Sequence, residues 1–414
     1  MSKQTFVIVG ASLTGAKAAE ELRNQGFDGR IVLIGDEHEL PYERPPLTKD
    51  YLRGESPREK ALVHEPGFYE QHDVELLSGV EVSAIDPAAR LVFVDGEAGP
   101  VYDRLLIATG AQPRELSIPG AGLDGVHYLR TLADCDALRE RLTAGGRVVV
   151  IGAGWIGCEF AASARQVGVD VTVVEPAATP LERVLGSELG AFYGDVHRGH
   201  GVDLRTDTGV EAFEGANAVE RVRTTDGQSI GCDFVLVGVG AVPRTGLAEA
   251  AGAAIENGIV VDEKLATSVA NVFAAGDVAN AWHPFFGQRI RVEHWANALN
   301  QGPAAARSML EQDVSYDRLP YFFSDQYDVG MEYSGHASQW DEIVYRGALA
   351  DGAFVAFWLK DRRVVAGMNV NVWDVNEDVQ TLIRSRQEID VAALRDADTP
   401  LLELVDRPER VEGE

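Results

Sequence analysis

Cysteine is scarce: Cys135, Cys158 and Cys232 are all that the 414 residues contain, and no two of them form a CxxC. A disulfide framework, a thiolate zinc site and a four-thiolate iron–sulfur cluster are therefore unsupported. The nine histidines fall into no HxxxH or HxH pattern, so no metal is expected. Positive charge is short as well. Lys and Arg number 37 against 65 Asp and Glu, for a formal net charge of -28. That balance disfavours nucleic acid and anionic membrane surfaces, whose phosphates the protein would repel. No apolar run approaches the ~20 residues that cross a bilayer. The segment Met1-Ser-Lys-Gln-Thr-Phe-Val-Ile-Val-Gly10 enters a strand directly, without the charged and apolar regions of a signal peptide. The expected location is the cytoplasm. Low-complexity tracts and solenoid repeats are absent too.

What is present is a duplicated plan, in a chain long enough for two or three domains. Thr5 to Val9 reads as a short apolar strand. Gly10-Ala-Ser-Leu-Thr-Gly15 follows it, then a helical stretch with Ala18, Ala19 and Leu22 on one face and Gly26 as its stop. A second strand, Arg30 to Ile34, leads to Gly35-Asp36-Glu37. The plan recurs downstream. The strand Arg147 to Ile151 meets Gly152-Ala-Gly-Trp-Ile-Gly157, a helix runs to a stop at Gly168, and the strand Asp170 to Val174 ends at Glu175.

Dinucleotide binding explains this spacing. The first glycine permits the tight turn, the second lets backbone approach a pyrophosphate, and the third lets helix pack on strand. The helix N-terminus offers free N–H groups and the positive end of a dipole. An acid some 20 residues on binds ribose hydroxyls, and Asp36 and Glu175 suit that role. The first turn departs from the pattern, with Ser12 at the middle position; serine is small enough for a phosphate to approach. Each copy continues with an Asp-Gly hairpin signal, Asp95-Gly96 and Asp226-Gly227. Each then has a returning strand, 105–110 and 235–240, and the closely similar Gly110-Ala-Gln-Pro-Arg114 and Gly240-Ala-Val-Pro-Arg244. Two such modules imply two nucleotides, and a nicotinamide with a flavin makes a hydride relay.

With these residues the whole chain resembles the FAD-dependent, NADH-linked ferredoxin reductases of bacterial oxygenase systems. Further carriers of the resemblance are Arg44-Pro-Pro-Leu-Thr-Lys49, Ala108-Thr109-Gly110, Tyr128-Leu-Arg-Thr131, Val272-Phe-Ala-Ala-Gly-Asp277, Asn297-Ala-Leu-Asn-Gln301 and Tyr321-Phe-Phe-Ser-Asp-Gln-Tyr327. In the last of these, Phe322-Phe323-Ser324 replaces the more usual Phe-Trp-Ser. The resemblance implies an α/β fold with two Rossmann-like, glutathione-reductase-like domains and a smaller C-terminal α/β domain. Residues 1–111 and 245–320 would bind FAD, 112–244 NADH, and 321–414 would form the third domain. It also implies FAD contacts at Gly10, Ser12, Thr14, Gly15, Asp36, Arg44, Lys49, Val82, Ala108, Thr109, Gly110, Arg130, Asp277 and Trp295. NADH contacts would be Gly152, Gly154, Trp155, Ile156, Gly157, Glu159, Glu175, Arg183 and Gly240. Electrons would pass singly to a [2Fe–2S] ferredoxin serving a monooxygenase or dioxygenase.

Lys49 and Glu159 are the expected catalytic residues. A cation at Lys49 would stabilise reduced flavin, and Glu159 would place a carboxylate near the nicotinamide, with Lys49 as its partner. Glu175 points to NADH over NADPH, since a carboxylate there repels a 2′-phosphate and Pro176-Ala177-Ala178 supplies no cation. Without a reactive thiol before Lys49, a disulfide-reductase mechanism is not expected. Competing readings are an NADH oxidase, a rubredoxin reductase, and a signalling flavoprotein resembling apoptosis-inducing factor, which the acidity disfavours. An acidic ferredoxin would need local positive charge, for which Arg289, Arg291, Lys360, Arg362 and Arg363 are candidates.

Overall fold

The computed structural model describes residues 4–406. Residues 1–3 and 407–414 of the expected first and third domains lie outside them. The chain divides into two compact units. One comprises the residues up to Glu115 with Leu129–Cys135 and Gly240–Arg318. The other comprises Leu116–Tyr128, Asp136–Val239 and the residues from Leu319 onward.

The first unit is built on a parallel sheet. After Thr5 the strand Thr5–Val9 is apolar because both its faces are covered, and Phe6, Val7, Ile8 and Val9 are all buried. The strand order is Val272–Ala274, Arg104–Ile107, Thr5–Val9, Arg30–Gly35, Val74–Ser78. The helix Leu13–Asn24 buries Ala16, Ala18, Ala19 and Leu22, and Gly26 at φ +77° lets the chain leave it. Against it lies the helix Trp295–Met309. The two backbones approach closely at Gly302, where a Cβ would stand 2.3 Å from the Thr14 carbonyl oxygen. The Asp95-Gly96 signal is the turn between Leu91–Val94 and Glu97–Val101, with φ positive at both residues as a type I′ turn requires. The returning strand is shorter than the sequence suggests. It ends at Ile107, and Ala108, Thr109 and Gly110 (φ +66°) leave the sheet at its carboxyl end, where open α/β sheets bind ligands.

The second unit repeats this sheet in the order Asp203–Arg205, Asp170–Val174, Arg147–Ile151, Phe234–Val237, Val126–His127. Even the registers agree. Val9 lies opposite Ile34 and Ile107, and Ile151 lies opposite Val174 and Val237. The same unit holds an antiparallel sheet ordered Tyr321–Gln326, Val329–Gly335, Arg363–Val370, Phe354–Lys360, Glu342–Arg346. The helix Asn376–Ser385 packs on its strands Arg363–Val370 and Val329–Gly335, burying Val379, Leu382 and Ile383.

The matched Gly-Ala-x-Pro-Arg segments pair with one another in the first unit. Ala111–Pro113 runs antiparallel to Ala241–Pro243, with each alanine opposite the other strand's proline. Among the described residues no helix is long and apolar enough to cross a membrane.

Candidate nucleotide-binding sites

The glycine turns separate what the fold needs from what a ligand needs. In the second unit, a Cβ on Gly152 (φ +94°) would lie 2.5 Å from the Gly238 carbonyl oxygen, and one on Gly157 would lie 2.0 Å from the Gly152 oxygen. Protein backbone alone forces glycine at both. Gly154 has an ordinary φ of -78°, and a Cβ there would meet nothing within 4 Å. The protein leaves that space open, and close approach by a ligand is the reason to keep it so. In the first unit, Cβ atoms on Gly10 (φ +116°) and Gly15 would lie 2.1 and 2.0 Å from the Ala108 and Gly10 oxygens, while Ser12 holds the middle place. Neither glycine-turn helix has a side-chain cap, so its first N–H groups keep their capacity for an anion. These features fit dinucleotide pyrophosphates in both units.

Ser12 stands at the N-cap, yet its hydroxyl accepts a hydrogen bond from Arg44 Nη1 instead of capping the helix. Arg44 also donates from Nε to the Arg130 carbonyl oxygen, 3.2 Å away, and lies 3.5 Å from Glu37. Arg130 donates to Asp277 over 2.8 Å, while its Nε is buried without a hydrogen-bond partner. An orphaned buried guanidinium donor beside Gly110 is what a phosphate oxygen would satisfy. Asp277 sits in the turn Gly276–Val278, where Gly276 (φ +80°) donates its N–H to Gln301 and packs over Thr14. Thr109 donates to the Arg244 carbonyl oxygen. Gly110 faces the Arg130 guanidinium, which would lie 3.3 Å from an added Cβ. Val82 is part of the apolar core.

Lys49 ends the turn Pro45–Thr48 and stands 3.3 Å from the Thr48 hydroxyl, half-buried. The Trp295 indole N–H donates to Glu43 over 3.1 Å, and burial raises the Glu43 carboxyl above its ordinary range despite that bond.

The acidic partners occupy unequal places. Glu175 accepts from the backbone N–H groups of Ala153 (2.7 Å) and Ala177 (2.9 Å), so its carboxylate reaches the glycine turn. In the first unit Gly35 holds the register of Glu175. Asp36 lies one residue beyond, paired with Arg244 at 2.9 Å. Glu37, which sequence reasoning passed over, is the acid tied to the turn, through Arg44 and a hydrogen bond from the Tyr42 hydroxyl. The adjacent Asp36-Glu37 pair was the signal, but local spacing cannot choose between neighbours.

Trp155 lies edge-on to Tyr193 and Phe322, Ile156 is 45% exposed, and Glu159 is buried. Arg183 is exposed on the short helix Glu182–Leu185. Gly240, expected among the NADH contacts, opens the stretch that belongs to the first unit. All three cysteines are buried, and burial pushes the Cys158 thiol far up. The five candidate docking cations have partners: Arg291 pairs with Glu293, Lys360 with Asp341 and Arg363 with Glu388, while Arg289 and Arg362 donate to backbone carbonyls.

Residues 4–302 match the family model described as pyridine nucleotide-disulphide oxidoreductase. The chain belongs to that family. Residues 321–405 of this oxidoreductase match a second model, reductase C-terminal. It is 36% identical to putidaredoxin reductase of Pseudomonas putida, over 98% of this chain and 97% of that protein. It is 40% identical to the 5,5'-dehydrodivanillate O-demethylase ferredoxin reductase subunit of Sphingobium sp., over 96% and 97% of the two chains. The crystal structure of the covalent putidaredoxin reductase–putidaredoxin complex superposes with a TM-score of 0.93 at 37% identity, covering 98% of each chain.

Proposed function

We propose that this oxidoreductase takes hydride from NADH onto bound FAD and delivers electrons singly to a [2Fe–2S] ferredoxin that serves an oxygenase. The observation that carries the reading is the likeness, over most of the chain, to relatives named as ferredoxin reductases, several of them of dioxygenase systems. FAD, when bound, supplies the chemistry of accepting two electrons as hydride and releasing them one at a time.

The rest of the work falls to the chain's own groups. Residues 1–111 and 245–320, joined by Arg130, hold FAD: the turn Gly10–Gly15 and the Arg44–Arg130–Asp277 cluster take the pyrophosphate and ribityl side. Lys49 and Trp295 lie toward the ring. In residues 112–244, the turn Gly152–Gly157 takes the NADH pyrophosphate, with Trp155, Ile156 and Arg183 about the coenzyme. Glu175 accepts from its ribose hydroxyls and repels a 2′-phosphate. Glu159 orients the nicotinamide. Residues 321–414 form the third domain. The buried cysteines support electron flow that bypasses protein thiols. We place the protein in the cytoplasm.

The test is NADH-driven cytochrome c reduction by the FAD-loaded protein, with and without a bacterial [2Fe–2S] ferredoxin. A large ferredoxin-dependent increase is expected. NADH consumption with peroxide formation and no ferredoxin effect would make the protein an oxidase instead.

A further inference from the structure

A buried polar chain in the second unit lies outside the nucleotide turns. Glu159, on the helix Trp155–Gln166, is 6% exposed, and a carboxyl so placed needs donors. The Ser324 hydroxyl donates to its Oε1 over 2.7 Å. Ser324 Oγ in turn accepts from Gln326 Nε2 at 3.2 Å, and Gln326 Oε1 faces His197 Nε2 at 2.9 Å. His197 Nδ1 faces the Tyr327 hydroxyl at 3.4 Å, and the Tyr327 ring stacks on His200. Ser324, Gln326 and His197 are each 1% exposed.

The carboxylate fixes the direction of every link. It accepts, so the one hydroxyl hydrogen of Ser324 goes to Glu159. Ser324 must then accept from the Gln326 amide N–H, which turns Gln326 Oε1 toward His197. His197 therefore carries its proton on Nε2 and presents a lone pair at Nδ1 to Tyr327. All donors point toward Glu159. Burial also lowers the His197 pKa to about 4, which keeps the ring neutral, so the hydrogen bonds alone choose its tautomer. The strand Tyr321–Gln326 supplies both middle links because its alternation buries Phe322, Ser324 and Gln326 on one face.

We propose that Ser324, held by Gln326 and His197, is a positioning residue that sets the Glu159 carboxyl beside the nicotinamide site, so the strand Tyr321–Gln326 tunes coenzyme binding. The proposal rests on the reading that Glu159 meets NADH. Calorimetric NAD+ binding and anaerobic flavin bleaching by NADH, both on the full-length FAD-loaded protein, test the two separately. Glu159→Gln is expected to weaken binding or slow bleaching, and Ser324→Ala to reproduce about a tenfold part of that loss. Ser324→Thr, which keeps the hydroxyl, should restore it. In a Glu159→Gln background, Ser324→Ala should add less than about twofold, because its route is gone. A normal Ser324→Ala beside an impaired Glu159→Gln overturns the positioning role alone, and so do additive effects. A normal Glu159→Gln removes Glu159 from the nicotinamide site and the proposal with it. Gln326→Met carries the same test should Ser324→Ala fail to retain FAD.

Discussion

Changing Gly154 and Gly157 each to alanine should separate ligand space from folding space within one turn. At Gly154 a Cβ would meet no protein atom within 4 Å, and φ is -78°. The reduced freedom of the unfolded chain favours alanine there by about 0.4–1 kcal/mol, and a poorer N-cap costs a similar amount. Stability should thus change by less than about 1 kcal/mol. The added methyl instead occupies the space reserved for the pyrophosphate. Losing even one charge-assisted N–H bond, about 1.5–3 kcal/mol, raises the dissociation constant for NAD+ roughly 10- to 100-fold. At Gly157 the methyl would lie 2.0 Å from the Gly152 oxygen, so helix and strand must separate, at about 3 kcal/mol or more. Calorimetric binding and thermal melts of both variants make the comparison. Gly154→Ala should lose coenzyme with its melting temperature kept, while Gly157→Ala should lose stability first. A Gly154→Ala protein that binds NAD+ normally would refute the placement of the pyrophosphate at this turn.

Three further outcomes are expected. Glu175→Ala should narrow the preference for NADH over NADPH by about tenfold or more, measured as the ratio of kcat/KM values; an unchanged ratio would take the ribose role from Glu175. Cys158→Ala should retain full ferredoxin-linked turnover, since the thiol is buried and burial disfavours its thiolate; complete loss in a folded variant would restore a thiol mechanism. His197 titrates at about 4 in the fold against 6.5 ordinarily, so below pH 6.5 the unfolded chain binds the proton more readily. Its contribution is present above pH 6.5 and lost as pH falls toward 4, by up to about 3 kcal/mol. His197→Phe should flatten that acid limb of a denaturation-midpoint profile, and an unaltered slope would count against a neutral buried ring.

The sequence by itself determined the two modules, because everything that marks them is local. A parallel strand buried on both faces is apolar throughout, and a tight turn needs glycine at fixed offsets. Those constraints act within a few residues and leave a readable pattern at Gly10–Gly15 and Gly152–Gly157. Only the tertiary structure decided which polar groups meet. Arg130 and Asp277 are 147 positions apart, and Ser324 and Glu159 are 165 apart. Nothing in local spacing records either pair. In one dimension Ser12 is only a small residue at the middle glycine position; the fold shows that Arg44 holds its hydroxyl. Glu37 rather than Asp36 is tied to the first turn because strand register puts Gly35 where Glu175 stands, a matter of sheet pairing and not of composition. Hydrophobic periodicity and backbone sterics are short-range and so survive in one dimension; the satisfaction of buried charges is a long-range condition that the folded chain alone resolves.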